Sequence, residues 1–318
     1  MTDSLNFGIT GVAGYVAPRH LQAIKACGHE LVAALDPNDS VGILDRYFPH
    51  ARFFTEFERF DRPLYKLRRN QDRIDYLSIC SPNYLHDAHI RAALRLGANA
   101  ICEKPLVLNP WNLDALAEME RETGKQVYTV LQLRLHPAIQ ALRKKIKANQ
   151  DKGNREIDLA YITSRGNWYH VSWKGSVPHS GGLASNIGIH FFDMLLWIFG
   201  KASVNEVHFN EPSKMAGYLE LDQARVRWFL SVDENDLPQE CQEKGQRTYR
   251  SITIDGEEIE FSGGFEDLHT ELYRQTLAGE GFRIEENRPV TQLISDIRNL
   301  EPIGVQDHSH SFLIKASN

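Results

Sequence analysis

From residue 5 to about residue 133, short apolar runs alternate with amphipathic stretches. That rhythm belongs to parallel strands joined by crossover helices. The runs Asn6 to Thr10, Glu30 to Leu35, Tyr76 to Cys80, Ala98 to Cys102 and Val127 to Leu131 predict strands. Between them, Pro18 to Cys27, Asp87 to Leu96 and Leu113 to Thr123 repeat apolar residues at three- and four-residue spacing, which predicts helices. Residues 56 to 73 are charge-rich and break the rhythm, so they read as a helical surface insertion. The expected first domain, residues 1–133, is a doubly wound parallel sheet of the Rossmann type.

After about residue 150 the texture changes. Asp158 to Ser164, Asn205 to Phe209, Gly217 to Leu221, Ala224 to Val232 and Tyr249 to Ile254 alternate apolar and polar residues and predict strands. Leu183 to Phe199 predicts one long apolar helix, closed by Gly200 as a left-handed cap. Asp255-Gly256 predicts a hairpin turn between Arg250 to Ile254 and Glu257 to Phe261. Residues 134–318 therefore read as an α+β domain with a large, mainly antiparallel open sheet, and the whole chain as α/β. Neither an internal repeat nor a low-complexity linker interrupts it.

Composition narrows the class. With 318 residues, 42% of them hydrophobic, the chain supplies a core for each domain without disulfide staples. Cys27, Cys80, Cys102 and Cys241 form no C-x-x-C pair, so they read as reduced thiols in a cytoplasmic protein. Met-Thr-Asp-Ser-Leu-Asn at the start lacks a basic stretch followed by an apolar one, and no window reaches the roughly 18 uncharged apolar residues of a membrane span. A net charge of −6 gives no general attraction to nucleic acid. The local cluster Lys66, Arg68, Arg69 and Arg73 reads as a solvated helix face or an oligomer contact. Neither His86-Asp-Ala-His89 with Cys80 or Cys102, nor His308-Ser-His310, completes a familiar ligand set, so no metal is expected.

The first strand runs into a helix through Gly8, Gly11 and Gly14, with Ala13 at the second glycine position of a G-x-G-x-x-G pattern. Amides of Gly11, Val12, Ala13, Gly14 and Tyr15 are placed to approach a pyrophosphate at the positive end of the helix. Asp36 closes the second strand, where a carboxylate accepts from the adenosine ribose and repels a 2′-phosphate, so NAD fits better than NADP. The competing reading of Asp36 is a turn-initiating residue before Pro37. Ser81, Pro82, Asn83 and His86 follow the Tyr76 strand, and Glu103 and Lys104 close the Ala98 strand, all on the rim where such sheets bind ligands. For Lys104 the plain alternative is a surface lysine paired with Glu103.

These residues resemble the Gfo/Idh/MocA oxidoreductases. The likeness rests on the glycine turn, Asp36, Ser81-Pro-Asn with His86, Glu103-Lys-Pro, and Gly181-Gly-Leu-Ala-Ser-Asn-Ile-Gly-Ile-His-Phe-Phe-Asp, and it spans nearly the whole chain. It implies that Lys104 and His190 flank the reacting carbon as hydroxyl-binding pair and proton acceptor. Thr10-Gly-Val-Ala-Gly-Tyr-Val-Ala-Pro-Arg-His, Leu131-Gln-Leu-Arg-Leu-His, Tyr161 to Tyr169 and Gln223 to Asp233 further resemble the members that oxidise UDP-N-acetyl-glucosaminuronate (UDP-GlcNAcA) at its 3-hydroxyl in bacterial O-antigen synthesis. Gln132 joins the cofactor residues on that ground. One departure stands out: many members place Asp four residues before the histidine, and this chain has Asn186, which orients a ring without stabilising an imidazolium.

A UDP-linked uronate calls for cations and flat surfaces. Ser164-Arg-Gly-Asn-Trp-Tyr-His-Val-Ser-Trp-Lys supplies them, with Arg165, Asn167 and Trp173 joining Lys104, Asn186 and His190 as expected substrate residues. Trp168, Tyr169 and Trp173 read equally as a core or interface cluster. The resemblance also implies a homotetramer that buries the open sheet, and leaves open whether NADH is released or reoxidised in place by 2-oxoglutarate. The rival readings are dehydrogenation of a free sugar or cyclitol, and a non-catalytic NAD-sensing scaffold, against which the presence of both Lys104 and His190 argues.

Overall fold

The computed structural model describes residues 4–148, 154–259 and 267–317, which divide between two compact units. The first comprises Met1–Leu135 and Phe265–Arg288. Its sheet contains β1 (Asn6–Thr10), β2 (Glu30–Leu35), β3 (Arg52–Phe54), β4 (Tyr76–Ile79), β5 (Asn99–Cys102) and β6 (Val127–Thr129). They lie in the order β3-β2-β1-β4-β5-β6, and every pairing is parallel. The order reverses between β1 and β4, so the loops after these two strands part and leave a crevice at their carboxyl ends. Gly8 is not in the turn: it is a strand residue, where a Cβ would come within 3.0 Å of Leu77 Cδ1.

Residues 56–73 are not an insertion. Helix Phe57–Leu67 is the regular crossover from β3 to β4, burying Phe60 and Leu64 and leaving its charged positions outside. Within the basic cluster, the Arg68 guanidinium lies 3.5 Å from the Tyr65 ring centre and Arg73 pairs with Asp75 at 3.3 Å. The apolar pattern alone missed β3 and the one-turn helix Ile43–Tyr47, both too short to show a period. Dividing the sequence at residue 133 also leaves out a returning segment. Helix Leu268–Leu277 packs against helix Ala17–Ala26 and buries Leu272 and Tyr273, while the Thr129 amide donates to the Phe282 carbonyl at 2.9 Å.

The second unit comprises His136–Gly264 and Pro289–Asn318. Its sheet is built from β7 (Arg155–Thr163), β8 (Ala202–Glu211), β9 (Lys214–Leu221), β10 (Ala224–Ser231), β11 (Thr248–Ile254) and β12 (Glu257–Glu258). The order is β12-β11-β7-β10-β9-β8, antiparallel except between β7 and β10. The hairpin forms as expected, with Asp255 and Gly256 both at positive φ, the twist a two-residue loop requires. The remainder of its expected second strand, residues 260 and 261, lies outside the described residues.

One face of this sheet packs on the long apolar helix, Phe192 against Trp228 at 5.4 Å and Phe191 against Tyr161 at 4.9 Å between ring centres. That stretch, Val177–Phe199, is long and apolar enough to cross a membrane, yet it carries Asp193 and 72% of its most apolar window is buried, as in a core helix. Gly200 ends it with φ +95° and ψ −162°, an extended conformation at positive φ rather than the left-handed cap. On the other face, Phe229 is covered by His310 and Phe312 at one end. Beyond them runs a ladder in which Arg227 binds Asp158 (2.6 Å) and Glu156 (2.9 Å). On this face Phe229 shares a core with Ile162, Ala216, Leu237 and Cys241, to which the helix Ser311–Ser317 adds Leu313.

Candidate active site

The glycine turn is built by close approach. Gly11 has φ +77°, and a Cβ there would stand 2.5 Å from the Cys80 carbonyl and the Ser81 nitrogen, so only glycine lets the turn after β1 reach the end of β4. The Gly11 amide donates to the Leu35 carbonyl at 2.8 Å, which ties the turn to β2. Helix Ala17–Ala26 follows with no side-chain cap and no acid in its first turn. Val12 is fully buried, so only its main chain faces the turn, whereas Ala13 and Gly14 are half-buried and Tyr15 is 86% exposed.

Asp36 does two things. Its Oδ1 accepts from the Asn38 amide at 2.9 Å, the turn expected before Pro37, and its Oδ2 accepts from the Ala13 amide at 3.0 Å. A carboxylate offers about four acceptor sites, so lone pairs remain for further donors.

Across the crevice, the Ser81 hydroxyl meets His89 Nδ1 at 2.9 Å, and burial pushes His89 down to about 4, so that ring is neutral. Asn83 is buried, and Pro82 and Gln132 are half-buried. His86 places Nδ1 2.7 Å from the Pro105 carbonyl and Nε2 2.8 Å from the Ser81 carbonyl, strapping the two strand-end loops together. Burial lowers its pKa, although both carbonyls raise it. With both nitrogens engaged by the main chain, His86 shapes the rim instead of presenting a free ring to a ligand.

Glu103 is buried, and its carboxylate is the centre of a network that sequence patterns did not reveal. Oε1 accepts from His20 Nε2 (3.0 Å) and His269 Nε2 (3.2 Å), and Oε2 from the Lys104 amide (3.3 Å). His20 Nδ1 meets the Tyr273 hydroxyl at 2.8 Å, which meets the Ser78 hydroxyl at 2.6 Å. Burial by itself would raise the Glu103 pKa, but the two imidazoles hold it well below the ordinary carboxylate range. His20 is lowered, first by burial. An ionised Glu103 that accepts through Oε1 from the Nε2 of each ring satisfies these bonds. Lys104 itself is half-buried at the mouth of β5, before a cis peptide to Pro105.

The remaining expected residues belong to the second unit. From Ala184 to Phe199 nearly every residue is buried, and Asn186 and His190 are two of the few half-buried positions. Ala184–Gly188 is wound as a π-helical turn, a form that recurs where helices carry functional side chains. Asn186 Nδ2 donates to the Tyr169 hydroxyl at 3.0 Å, so the amide is held by a buried tyrosine. Of the three aromatic residues left open above, Tyr169 is core, Trp168 is 47% exposed and Trp173 is half-buried. Lys174 Nζ sits 5.4 Å and 5.7 Å from the ring centres of Trp168 and Trp173. Burial and then the nearby Arg165 lower the Lys174 pKa. Arg165 and Asn167 are exposed, and among the described residues neither Arg165 nor Lys174 pairs with a carboxylate. Two unpaired cations beside two indoles form a ready seat for an anion.

A parallel sheet with this turn and rim defines a dinucleotide-dependent oxidoreductase architecture, and comparison with known proteins agrees. Residues 5–131 match the oxidoreductase family model for an NAD-binding Rossmann fold, and residues 155–301 match that family's C-terminal alpha/beta domain. The chain belongs to the Gfo/Idh/MocA oxidoreductase family. It is similar to the WlbA (WbpB) dehydrogenase from Thermus thermophilus in complex with NAD and UDP-GlcNAcA: 54% identity, 97% of this chain and 100% of that chain covered, TM-score 0.93. The same dehydrogenase in complex with NAD and alpha-ketoglutarate gives a TM-score of 0.94 at 54% identity, with the same coverage. Among curated relatives, D-glucoside 3-dehydrogenase of Escherichia coli (strain K12) is 26% identical over 151 residues, 44% of this chain. Inositol 2-dehydrogenase of Rhizobium meliloti (strain 1021) is 26% identical over 64% of this chain. The chain spans only 40% and 57% of the lengths of these two relatives.

Proposed function

We propose that this chain is an NAD-dependent dehydrogenase that oxidises the sugar 3-hydroxyl of UDP-GlcNAcA to the 3-keto sugar in O-antigen synthesis. The observation that carries the reading is the 54% identity, over 97% of the chain, to a dehydrogenase crystallised with both NAD and UDP-GlcNAcA. Curated relatives that act on glucosides and inositol align at 26%, so the rival free-sugar reading has weaker support.

The residues present fit NAD. The glycine turn, which Gly11 allows to close onto the end of β4, and the uncapped helix after it suit a pyrophosphate, and Asp36 retains acceptors for the adenosine ribose and repels a 2′-phosphate. When bound, the dinucleotide supplies the hydride acceptor. The chain's own work is positioning and proton transfer. Lys104 Nζ and a ring nitrogen of His190 together bind the 3-hydroxyl and take its proton; neither is assigned as the sole base. Glu103 holds the Lys104 main chain from behind. Tyr169 fixes Asn186 one turn before His190, so Asn186 orients substrate or ring without carrying charge. Arg165 and Lys174 receive anionic groups of the nucleotide-sugar, with Asn167 and Trp173 beside them. Gln132, Ser81, Pro82, Asn83 and His86 complete the rim on the cofactor side.

The likeness to a complex with NAD and alpha-ketoglutarate supports 2-oxoglutarate as the acceptor that returns NADH to NAD. We read residues up to about 133 as the NAD-binding part and the rest as substrate-binding and assembling. The homotetramer, with the open sheet at its interface, rests on the resemblance. The free cysteines, three of them buried, agree with a cytoplasmic setting.

The test is absorbance at the reduced-nicotinamide band after mixing protein, NAD and UDP-GlcNAcA, with and without 2-oxoglutarate. The band should rise with UDP-GlcNAcA, stay flat with glucose or myo-inositol, and collapse when 2-oxoglutarate is added. Equal activity with myo-inositol, or no keto product under any condition, would sink the reading.

A further inference from the structure

We propose that Glu206, His208 and His308 form a binding site for a divalent transition-metal ion of the zinc class, at the edge of the second unit's sheet. His308-Ser-His310 completes no ligand set in sequence, and the structure separates the pair, since His310 stacks on Phe229. His308 instead meets two residues a hundred positions earlier on β8. Both Nε2 atoms converge on one carboxylate oxygen: Glu206 Oε2 lies 3.2 Å from His208 and 2.8 Å from His308. All three donor atoms fall within 4.8 Å of one another.

Four-coordinate zinc, with bonds near 2.0–2.1 Å, sets neighbouring donor atoms about 3.3 Å apart. The two N···O separations therefore need to widen by only a few tenths of an ångström to admit the ion. Imidazole and carboxylate suit zinc and its first-row neighbours better than calcium or magnesium.

The surroundings also suit a site. His208 is buried and its Nδ1 meets the Ser309 hydroxyl at 2.8 Å, an outer contact of the kind that fixes ring orientation and leaves Nε2 for the metal. The Ser309 hydroxyl also accepts from the Gln306 amide at 2.9 Å. Tyr218 packs edge-on against His308 at 4.6 Å. The side chains of His308 and Glu206 are 42% and 31% exposed, so an ion can enter and a water can fill the fourth position. The other histidine and carboxylate cluster, around Glu103, has no such entry, its side chains being at most 10% exposed. Because the Ile303 amide donates to the Val207 carbonyl at 2.9 Å, a bound ion would clamp the segment after residue 303 onto the edge strand.

The experiment uses the full, tag-free chain stripped with chelator, then titrated with Zn2+ by calorimetry and with Co2+ by visible absorption. Expected are one Zn2+ per chain, intense Co2+ bands of tetrahedral type, and a higher melting temperature with metal. His308→Gln and Glu206→Gln should each weaken Zn2+ binding by at least about 100-fold, more than loss of an outer contact costs. A circular dichroism spectrum and a metal-free melting temperature equal to those of the stripped parent would establish that both variants are folded. Absence of stoichiometric Zn2+ binding, or binding that survives both substitutions at the parent's strength, would overturn the proposal.

Discussion

Replacing Glu103 by glutamine keeps the shape of the side chain and removes its charge, in a place where three N–H groups converge on it. Oε1 can remain an oxygen facing His20 and His269, and the new NH2 then faces the Lys104 amide, a donor against a donor at 3.3 Å. Each imidazole bond falls from a charged to a neutral acceptor, a loss of about 1 kcal/mol apiece, and the donor conflict adds about 1–2 kcal/mol. The expected destabilisation is about 3 kcal/mol, or about 6–12 °C in melting temperature for a domain of this size. The pH dependence has a definite sign. Glu103 is held well below its ordinary value of 4.5, so its contribution is present above that value and is lost only as pH falls through the lower folded one. His20 is lowered from 6.5, chiefly by burial, so its neutral form also favours folding above 6.5, and protonation costs stability below it. The gap between parent and Glu103→Gln should therefore persist from pH 7.5 to pH 5. Urea unfolding at both pH values, followed by tryptophan fluorescence and circular dichroism, measures it. A variant within about 0.5 kcal/mol of the parent at both would show that the network contributes nothing beyond packing.

Three further outcomes follow from the same geometry. Lys104→Met and His190→Asn should each lower kcat by about 10²-fold or more while NAD affinity holds, since both act beyond the dinucleotide; near-normal turnover in either removes that residue from proton transfer. Asp36→Ala should weaken NAD and narrow its preference over NADP, and because the Ala13 and Asn38 amides lose their acceptor the turn itself should loosen; KM values for both cofactors decide, and an unchanged ratio contradicts the ribose role. Arg165→Met should raise KM for UDP-GlcNAcA with NAD affinity unmoved, and Arg165→Lys should raise it less, because charge survives without the planar fork; a Met variant that saturates like the parent would shift the anion to Lys174.

The doubly wound half was readable because its central strands are buried on both faces and so appear as unbroken apolar runs. Tyr76–Ile79, buried at every position, is the clearest case. β3 escaped because an edge strand of three residues, one of them exposed, leaves no such trace. Helix Phe57–Leu67 looked foreign because a crossover helix needs only two buried anchors and tolerates charge, and even Pro63, elsewhere. The positions of Asp36, Glu103 and Lys104 in the candidate site were readable because each stands just after a strand. The partners of Glu103 were not: His20 lies 83 residues before it and His269 lies 166 after, and neither carries a local signature. Lys174 lies in the stretch read as a source of cations, and what the structure adds is its position beside Trp168 and Trp173.

The return of Phe265–Arg288 to the first unit also sets an order of events on the ribosome. Tyr273 and His269 emerge only after roughly 130 residues of the other unit have been made. At 5–20 residues per second that delay is on the order of ten seconds. Through that interval all six strands of the first sheet have been made, while helix Ala17–Ala26 lacks the cover of Leu272 and Tyr273, and His20 and Glu103 lack Tyr273 and His269 as partners. The nascent cofactor-binding half is therefore sticky while the second half is being made. A fragment ending at residue 135 would carry the same exposed side permanently.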